Sequence, residues 1–82
     1  MLTIPDVQQA MLRSGITEAA DLDDRLDTDL GDLGCDSLAL LDTVAQLQRQ
    51  ADVPIPDDVI TEVHTVRELL DYVNDRIVAA RT

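Results

Sequence analysis

The chain has 82 residues, with no Phe, no Trp and one Tyr, so its core must be built from aliphatic side chains. A chain of this length buries enough surface for one small domain, and we expect residues 1–82 to form it. The net charge of −11 excludes nucleic acid as a partner, because the phosphate backbone would be repelled. The same charge repels anionic membranes, so we expect no membrane partner. The sequence shows neither an apolar run of about 18 residues nor a signal peptide, so we expect a cytoplasmic protein.

The negative charge is concentrated in the middle of the chain. Residues 16–36 carry eight acidic residues and one arginine, and residues 37–62 carry five acidic residues and one arginine. The segments 1–15 and 63–82 are each neutral. Such a field steers cationic protein surfaces toward the middle of the chain. The alternative interpretation is that the charge only keeps a small protein in solution.

The first predicted helix covers residues 5–14. Thr3 is its expected N-cap, and Gly15 is the expected stop. One face of this helix is predicted to be apolar, and consists of Ile4, Val7, Met11 and Leu12. A long acidic connection follows over residues 16–35. Its regularly interspersed apolar residues indicate that it packs on the core and contains short helical turns: Ile16, Leu22, Leu26, Leu30 and Leu33.

The second predicted helix covers residues 37–50. At about 100° per residue, one face of it is apolar and buried, with Leu41 at the margin of that face: Leu40, Val44, Leu47 and Ala51. Leu38 falls about 130° from the centre of the buried face, and Asp42 stacks one turn after it. We therefore expect Leu38 and Asp42 to face outward, where they would contact a partner.

The last third of the chain predicts one short helical turn and one long helix. The sequence Pro54-Ile55-Pro56 ends the second helix, and residues 57–60 form the short turn. Thr65 and Glu68 have the spacing of a capping box, which opens a helix with an apolar face formed by Val66, Leu69, Leu70, Val73 and Ile77. No segment alternates with a period of two, so we predict an all-α fold: a small bundle of three main helices plus one short helix.

The sequence Gly34-Cys35-Asp36-Ser37 precedes the second helix directly. Gly34 permits backbone angles that a side chain would forbid, and Asp36 and Ser37 are both good helix-capping residues. A helix start offers free N–H groups and a partial positive charge, which favour a phosphate group attached there. Ser37 is therefore the candidate site of modification.

Catalytic interpretations fail on the residues available. The chain has no lysine, and His64, the only histidine, precedes the last predicted helix as an expected solvated loop residue. Cys35 has acidic neighbours that would raise its pKa, so we expect it to fill a turn instead of acting as a nucleophile. The acidic segment 27–38 lacks the glycine and glutamate positions of a calcium loop. We expect no catalytic residue and no metal site.

The motif resembles the attachment site of acyl carrier proteins, and the similarity covers the whole chain. Three segments are similar to the discrete carriers of type II aromatic polyketide synthases: residues 36–43, 53–58 and 67–71. The resemblance implies that Ser37 bears a covalent 4′-phosphopantetheine arm derived from coenzyme A. It further implies that Asp36, Leu38 and Asp42 contact partners. Arg67 is either a contact for the cargo or an exposed arginine paired with nearby acids.

The partners implied by the resemblance are enzymes. They are a phosphopantetheinyl transferase, a malonyl transferase, a ketosynthase with its chain-length factor, a ketoreductase and cyclases, and the carrier is expected to be a monomer. Fatty-acid carriers usually have a more Glu-rich second helix. The alternatives are a fatty-acid, starter-unit or aminoacyl carrier, and an acidic helical interaction domain that carries nothing.

Overall fold

Four α-helices and two 3₁₀ segments form the fold. The computed structural model describes residues 1–81, with α1 at Ile4–Arg13, α2 at Ser37–Ala51, α3 at Val59–Glu62 and α4 at Val66–Ala80. The 3₁₀ segments, Thr17–Asp24 and Leu30–Leu33, lie between α1 and α2. Within the described residues there is no β-strand, only an isolated bridge between Asp29 and Thr65. The predicted bundle of three main helices and one short helix is confirmed.

Helix α1 begins and ends one residue before the predicted limits. The Asp6 carboxylate accepts a hydrogen bond from the Thr3 backbone amide at 2.8 Å, which secures the helix start. Gly15 follows the helix with a φ of +87°, so the predicted stop is confirmed. The placement of Leu12 on the buried face is wrong, since its side chain is 37% exposed. Successive residues are about 100° apart, and this turns Leu12 away from the buried residues of the helix, which are Val7, Ala10 and Met11.

The connection between α1 and α2 packs on the core as predicted. Its buried apolar residues are Ile16, Ala19, Leu22, Leu30 and Leu33, while Leu26 is half-buried. Two backbone hydrogen bonds join this connection to the α3–α4 end of the molecule. The Leu30 amide donates to the His64 carbonyl at 2.8 Å, and the Arg67 amide donates to the Leu26 carbonyl at 3.1 Å. The connection is therefore fixed at its far end as well as at its helical junctions.

Helix α2 ends one residue later than predicted, and Asp52 follows it in the left-handed conformation with a φ of +56°. Its buried face contains Leu40, Val44 and Leu47, as expected, whereas Ala51 and Leu41 are half-buried. Thr43 is also fully buried, which the periodicity of the apolar residues did not predict. Its hydroxyl lies 2.9 Å from the Ala39 carbonyl one turn earlier, so burial leaves it satisfied.

Helix α3 lies two residues later than the predicted turn, and α4 begins as predicted. The Thr65 hydroxyl accepts from the Glu68 amide at 3.2 Å. The Glu68 carboxylate accepts from the His64 amide at 2.7 Å, one residue before the position a capping box would use. Helix α4 buries Val66, Leu69, Val73 and Ile77 and leaves Leu70 half-buried. No helix in residues 1–81 has the length and apolarity required to span a membrane.

Candidate functional site

A tight turn brings the chain into α2. Gly34 has a φ of +78°, which a residue with a side chain adopts only under strain. A Cβ added at this position would also lie 3.3 Å from the Glu18 Oε2 atom. The Cys35 amide donates to the Leu30 carbonyl at 2.9 Å, so the turn closes on the preceding 3₁₀ segment. The glycine in the motif is therefore required by backbone conformation, and a side chain there would also displace the end of Glu18.

Asp36, and not Ser37, caps α2. The Asp36 carboxylate accepts from the Ala39 amide at 2.8 Å, and the Asp36 carbonyl accepts from the Leu40 amide at 2.8 Å. Ser37 is the first residue of the helix, is exposed, and makes no side-chain hydrogen bond to any other described residue. Of the two capping residues named from the sequence, only Asp36 therefore acts as one. Derivatisation of the Ser37 hydroxyl would break no hydrogen bond within residues 1–81.

Cys35 faces inward, in contrast to its neighbours. Its side chain is buried, and this burial raises the pKa of the thiol to about 11, with a smaller contribution from the Asp36 charge. A thiol with that pKa is protonated at neutral pH and is a poor nucleophile. The expectation that Cys35 fills a turn is confirmed. Its acidic neighbour raises the pKa as predicted, although burial is the larger cause.

The outward face of α2 carries the predicted contact residues. Leu38 is 76% exposed, which confirms its predicted orientation, and Asp42 is also exposed. A shallow depression beside Ser37 is lined by Ser14, Asp36, Leu38, Ala39, Leu41 and Asp42. The structure thus brings together all three residues that were expected to contact partners. An apolar surface flanked by two carboxylates suits an apolar side chain flanked by cationic groups.

Ser14 is the member of this depression that sequence reasoning missed. It follows the last residue of α1, and its hydroxyl lies 2.8 Å from the Asp42 Oδ2 atom. Asp42 was expected to contact a partner, and its carboxylate also has this contact within the chain. The predicted position of Ser14 at the end of the first helix was the available signal, but the antiparallel packing of α1 along α2 was not predicted.

Arg67 lies at the start of α4 and is paired with an acid. Its Nε atom is 2.7 Å from the Asp27 Oδ1 atom, and its second guanidinium contact to Asp27 is 3.3 Å. This hydrogen-bonded cation lowers the pKa of the Asp27 carboxyl. Of the two interpretations of Arg67, the structure favours pairing with a nearby acid, and Arg67 does not line the depression beside Ser37.

The residues at the start of α2 fit a phosphopantetheine arm. The Ser37 hydroxyl is accessible, and the first N–H groups of a helix have no partners within the helix. These groups and the helix dipole favour the negative charge of a phosphodiester. The adjacent Asp36 carboxylate would repel the phosphodiester, but its charge is partly compensated by the hydrogen bond that it accepts from the Ala39 amide.

Comparisons with known proteins agree with this geometry. The family model described as "Phosphopantetheine attachment site" matches residues 11–73. The monensin polyketide synthase acyl carrier protein of Streptomyces virginiae is 42% identical over 96% of this chain and 91% of that protein. The chain belongs to the polyketide synthase acyl carrier proteins. The actinorhodin polyketide synthase acyl carrier protein of Streptomyces coelicolor is 44% identical over 98% of this chain and 95% of that protein.

A solved acyl carrier protein has the same fold. The solution structure of the acetyl actinorhodin acyl carrier protein from Streptomyces coelicolor has a TM-score of 0.83 and 46% identity, and it covers 96% of this chain and 94% of that chain. The resemblance noted from the sequence is confirmed. Members of this family are carriers and not catalysts, and their cofactor is a covalently attached 4′-phosphopantetheine. This chain is a discrete carrier of polyketide intermediates linked to that cofactor.

Proposed function

We propose that Ser37 is the attachment residue, and that the carrier presents malonyl and growing polyketide thioesters to the enzymes of the synthase. The observation that carries this proposal is the position of the Ser37 hydroxyl: it is exposed, has no hydrogen bond to another residue within 1–81, and is first in α2. When bound, the arm supplies the thiol on which thioesters form. Ser37 holds the arm, and Asp36 fixes the helix start from which the arm extends.

The protein contributes position and charge to the reaction sequence. A tethered thioester is present near each docked active site at a high effective concentration, without any permanent complex. Docking must be brief for one carrier to visit several enzymes. A charged surface gives fast, steered and weak association, which suits such visits. The surface around Ser37 offers the carboxylates of Asp36 and Asp42 for this purpose.

The same proposal covers the partners and the state of the protein. The partners are a phosphopantetheinyl transferase, a malonyl transferase, a ketosynthase with its chain-length factor, a ketoreductase and cyclases. Each must present cationic groups to the acidic surface around Ser37. We further propose that residues 1–82 form one carrier domain, acting as a cytoplasmic monomer. In support, the core cluster runs from Leu2 to Ile77 and includes residues of every helix.

Measurement of intact mass tests the assignment of Ser37. The protein is incubated to completion with a phosphopantetheinyl transferase and coenzyme A. The wild type should gain the mass of one arm, and Ser37→Ala should gain none while it keeps its helical spectrum. Ser14→Ala is the matched control, since it removes the only other serine hydroxyl and should still gain one arm. Modification of the Ser37→Ala variant would refute the assignment.

Loading assays test the cargo. The modified protein should accept malonyl groups from a polyketide malonyl transferase. Exclusive loading by a fatty-acid, starter-unit or aminoacyl loading enzyme would replace the polyketide cargo with that alternative while leaving Ser37 as the attachment residue.

A further inference from the structure

We propose that Ser14 is a positioning residue for docking: it holds the Asp42 carboxylate in one orientation toward the cationic group of an incoming enzyme. This inference rests on the proposed function, since it concerns the surface beside Ser37. Ser14 does not belong to α2 and lies 23 positions before the attachment residue. Its hydroxyl nevertheless approaches Asp42 Oδ2 to 2.8 Å, the usual distance for an O–H···O hydrogen bond.

The number of protons available where the end of α1 packs on α2 selects one arrangement of hydrogen bonds. The Gln46 amide nitrogen has two protons, and it lies 2.9 Å from Ser14 Oγ and 3.1 Å from the Ala10 carbonyl. The Thr43 hydroxyl has one proton, and its nearer acceptor is the Ala39 carbonyl at 2.9 Å. With those protons used, the single Ser14 proton goes to Asp42. Every donor then has a partner, and the Ser14 oxygen accepts from Gln46.

The alternative arrangement is poorer. If Ser14 donated to the Ala10 carbonyl at 2.9 Å, Asp42 would retain only the Gln46 amide nitrogen at 3.4 Å. A carboxylate is a stronger acceptor than a neutral carbonyl, so the proton is better placed on Asp42. The fully buried Thr43 packs beneath this network and lies 3.2 Å from Ser14 Oγ. The hydroxyl that orients Asp42 is therefore itself held against α2 by the Gln46 amide.

A fixed carboxylate has a direct consequence for docking. An exposed aspartate normally loses rotamer freedom when a partner binds it, and that loss weakens the complex. Asp42 is held by Ser14 before the partner arrives, at the edge of the depression that contains Leu38. Ser14, an uncharged residue at the end of α1, thus reduces the loss of rotamer freedom that Asp42 would otherwise undergo on docking.

Kinetics of modification test the proposal. The KM of a phosphopantetheinyl transferase for the unmodified protein is measured for wild type, Ser14→Ala, Asp42→Ala and the double variant. Ser14→Ala should raise KM by about two- to tenfold, the size expected for one side chain immobilised on binding, with little change in kcat. In the Asp42→Ala background the same substitution should have no further effect. Gln9→Ala, an exposed polar residue of α1 with no side-chain hydrogen bond to another described residue, is the matched control.

The outcomes separate cleanly. The positioning role would be overturned if Ser14→Ala left KM unchanged in the wild-type background, or if it raised KM equally in the wild-type and Asp42→Ala backgrounds. Failure of the wild type to gain an arm would instead overturn the proposed function. Ser14→Thr retains the hydroxyl and should restore the wild-type KM.

The wild-type protein also provides a test that does not depend on how a variant folds. The NMR couplings of the Asp42 β-protons should report one rotamer, and averaged couplings would contradict the proposal.

Discussion

Leu38 and Leu40 lie two positions apart on α2 and have opposite environments. Leu38 is 76% exposed, whereas Leu40 is 5% exposed. Two positions correspond to about 200° of rotation around a helix, so the two side chains point to opposite faces. The inward face attaches the helix to the core, and the outward face carries the attachment residue and its acidic surroundings. The role of an apolar residue in this helix therefore follows from helical phase and not from hydrophobicity.

The largest expected difference between variants of Leu40 and Leu38 is in the free energy of unfolding. Leu40→Ala should lower the free energy of unfolding by about 2–5 kcal/mol, because it removes buried methyl groups and leaves a cavity. Leu38→Ala should change it by less than about 0.5 kcal/mol, as for other surface positions. Urea titration followed by circular dichroism measures both values. Similar losses for the two variants would mean that the two faces of α2 are not distinct in solution.

The second largest effect is expected on transfer of the phosphopantetheine arm to Ser37. Leu38→Ala should lower kcat/KM for modification of Ser37 by about tenfold, because we expect Leu38 to be one of the few central interface residues whose truncation costs more than about 1 kcal/mol of binding. Val78→Ala is a matched control, because Val78 is an exposed apolar residue on α4, 48% exposed and outside the depression. Equal losses in the two variants would show that general surface hydrophobicity, and not the outward face of α2, determines docking.

The third effect separates the two roles of Asp36. Asp36→Ala removes the helix cap and should lower the free energy of unfolding by about 0.5–2 kcal/mol. Asp36→Asn keeps a capping acceptor and should remain close to wild type in stability. Both variants lose the charge, so both should raise the KM of a partner enzyme to a similar extent. If Asp36→Asn docks like the wild type, Asp36 supports the site only through the helix start.

Much of this surface was predictable, because it depends on local rules. Helix α2 repeats its apolar residues with the helical period, and that alone placed Leu38 outward. The cap at Thr65 follows from its own side chain and the sequence after it. Asp36 and Ser37 were equally good capping residues on sequence grounds, and only the backbone geometry assigned the cap to Asp36.

The error at Leu12 is one of helical phase, because Leu12 lies about 100° from Met11 around α1. The omissions, in contrast, depend on packing between distant segments. The Ser14–Asp42 bond joins residues 28 positions apart, and it exists because α1 packs antiparallel along α2. The buried Thr43 has a polar side chain, so the periodicity of apolar residues does not predict its burial. Contacts of this kind require the relative placement of helices, which periodicity does not specify.

The smallest expected effect concerns an acid outside the docking surface. Arg67 lowers the pKa of Asp27 below its ordinary value of 3.8 through a hydrogen bond at 2.7 Å. A carboxyl whose pKa is lowered by folding stabilises the fold above its unfolded pKa, and loses that contribution as the pH falls through its folded pKa. Arg67→Gln should therefore raise the pKa of Asp27, measured from the NMR shift of its carboxyl carbon. Any loss of stability in this variant should appear at neutral pH and disappear in acid.

The control for this titration is Arg76→Gln. The Arg76 guanidinium lies 5.1 Å from the centre of the Tyr72 ring and does not contact Asp27, so Asp27 should titrate in this variant as in the wild type. Both side chains of the Asp27–Arg67 pair are more than half exposed, so solvent screens the pair and its contribution to stability should be small. Neither residue lines the depression beside Ser37, and Arg67→Gln should leave the KM for modification unchanged. A raised KM for modification in Arg67→Gln would extend the docking surface from α2 to the start of α4. An unchanged pKa of Asp27 in this variant would show that the ion pair does not persist in solution.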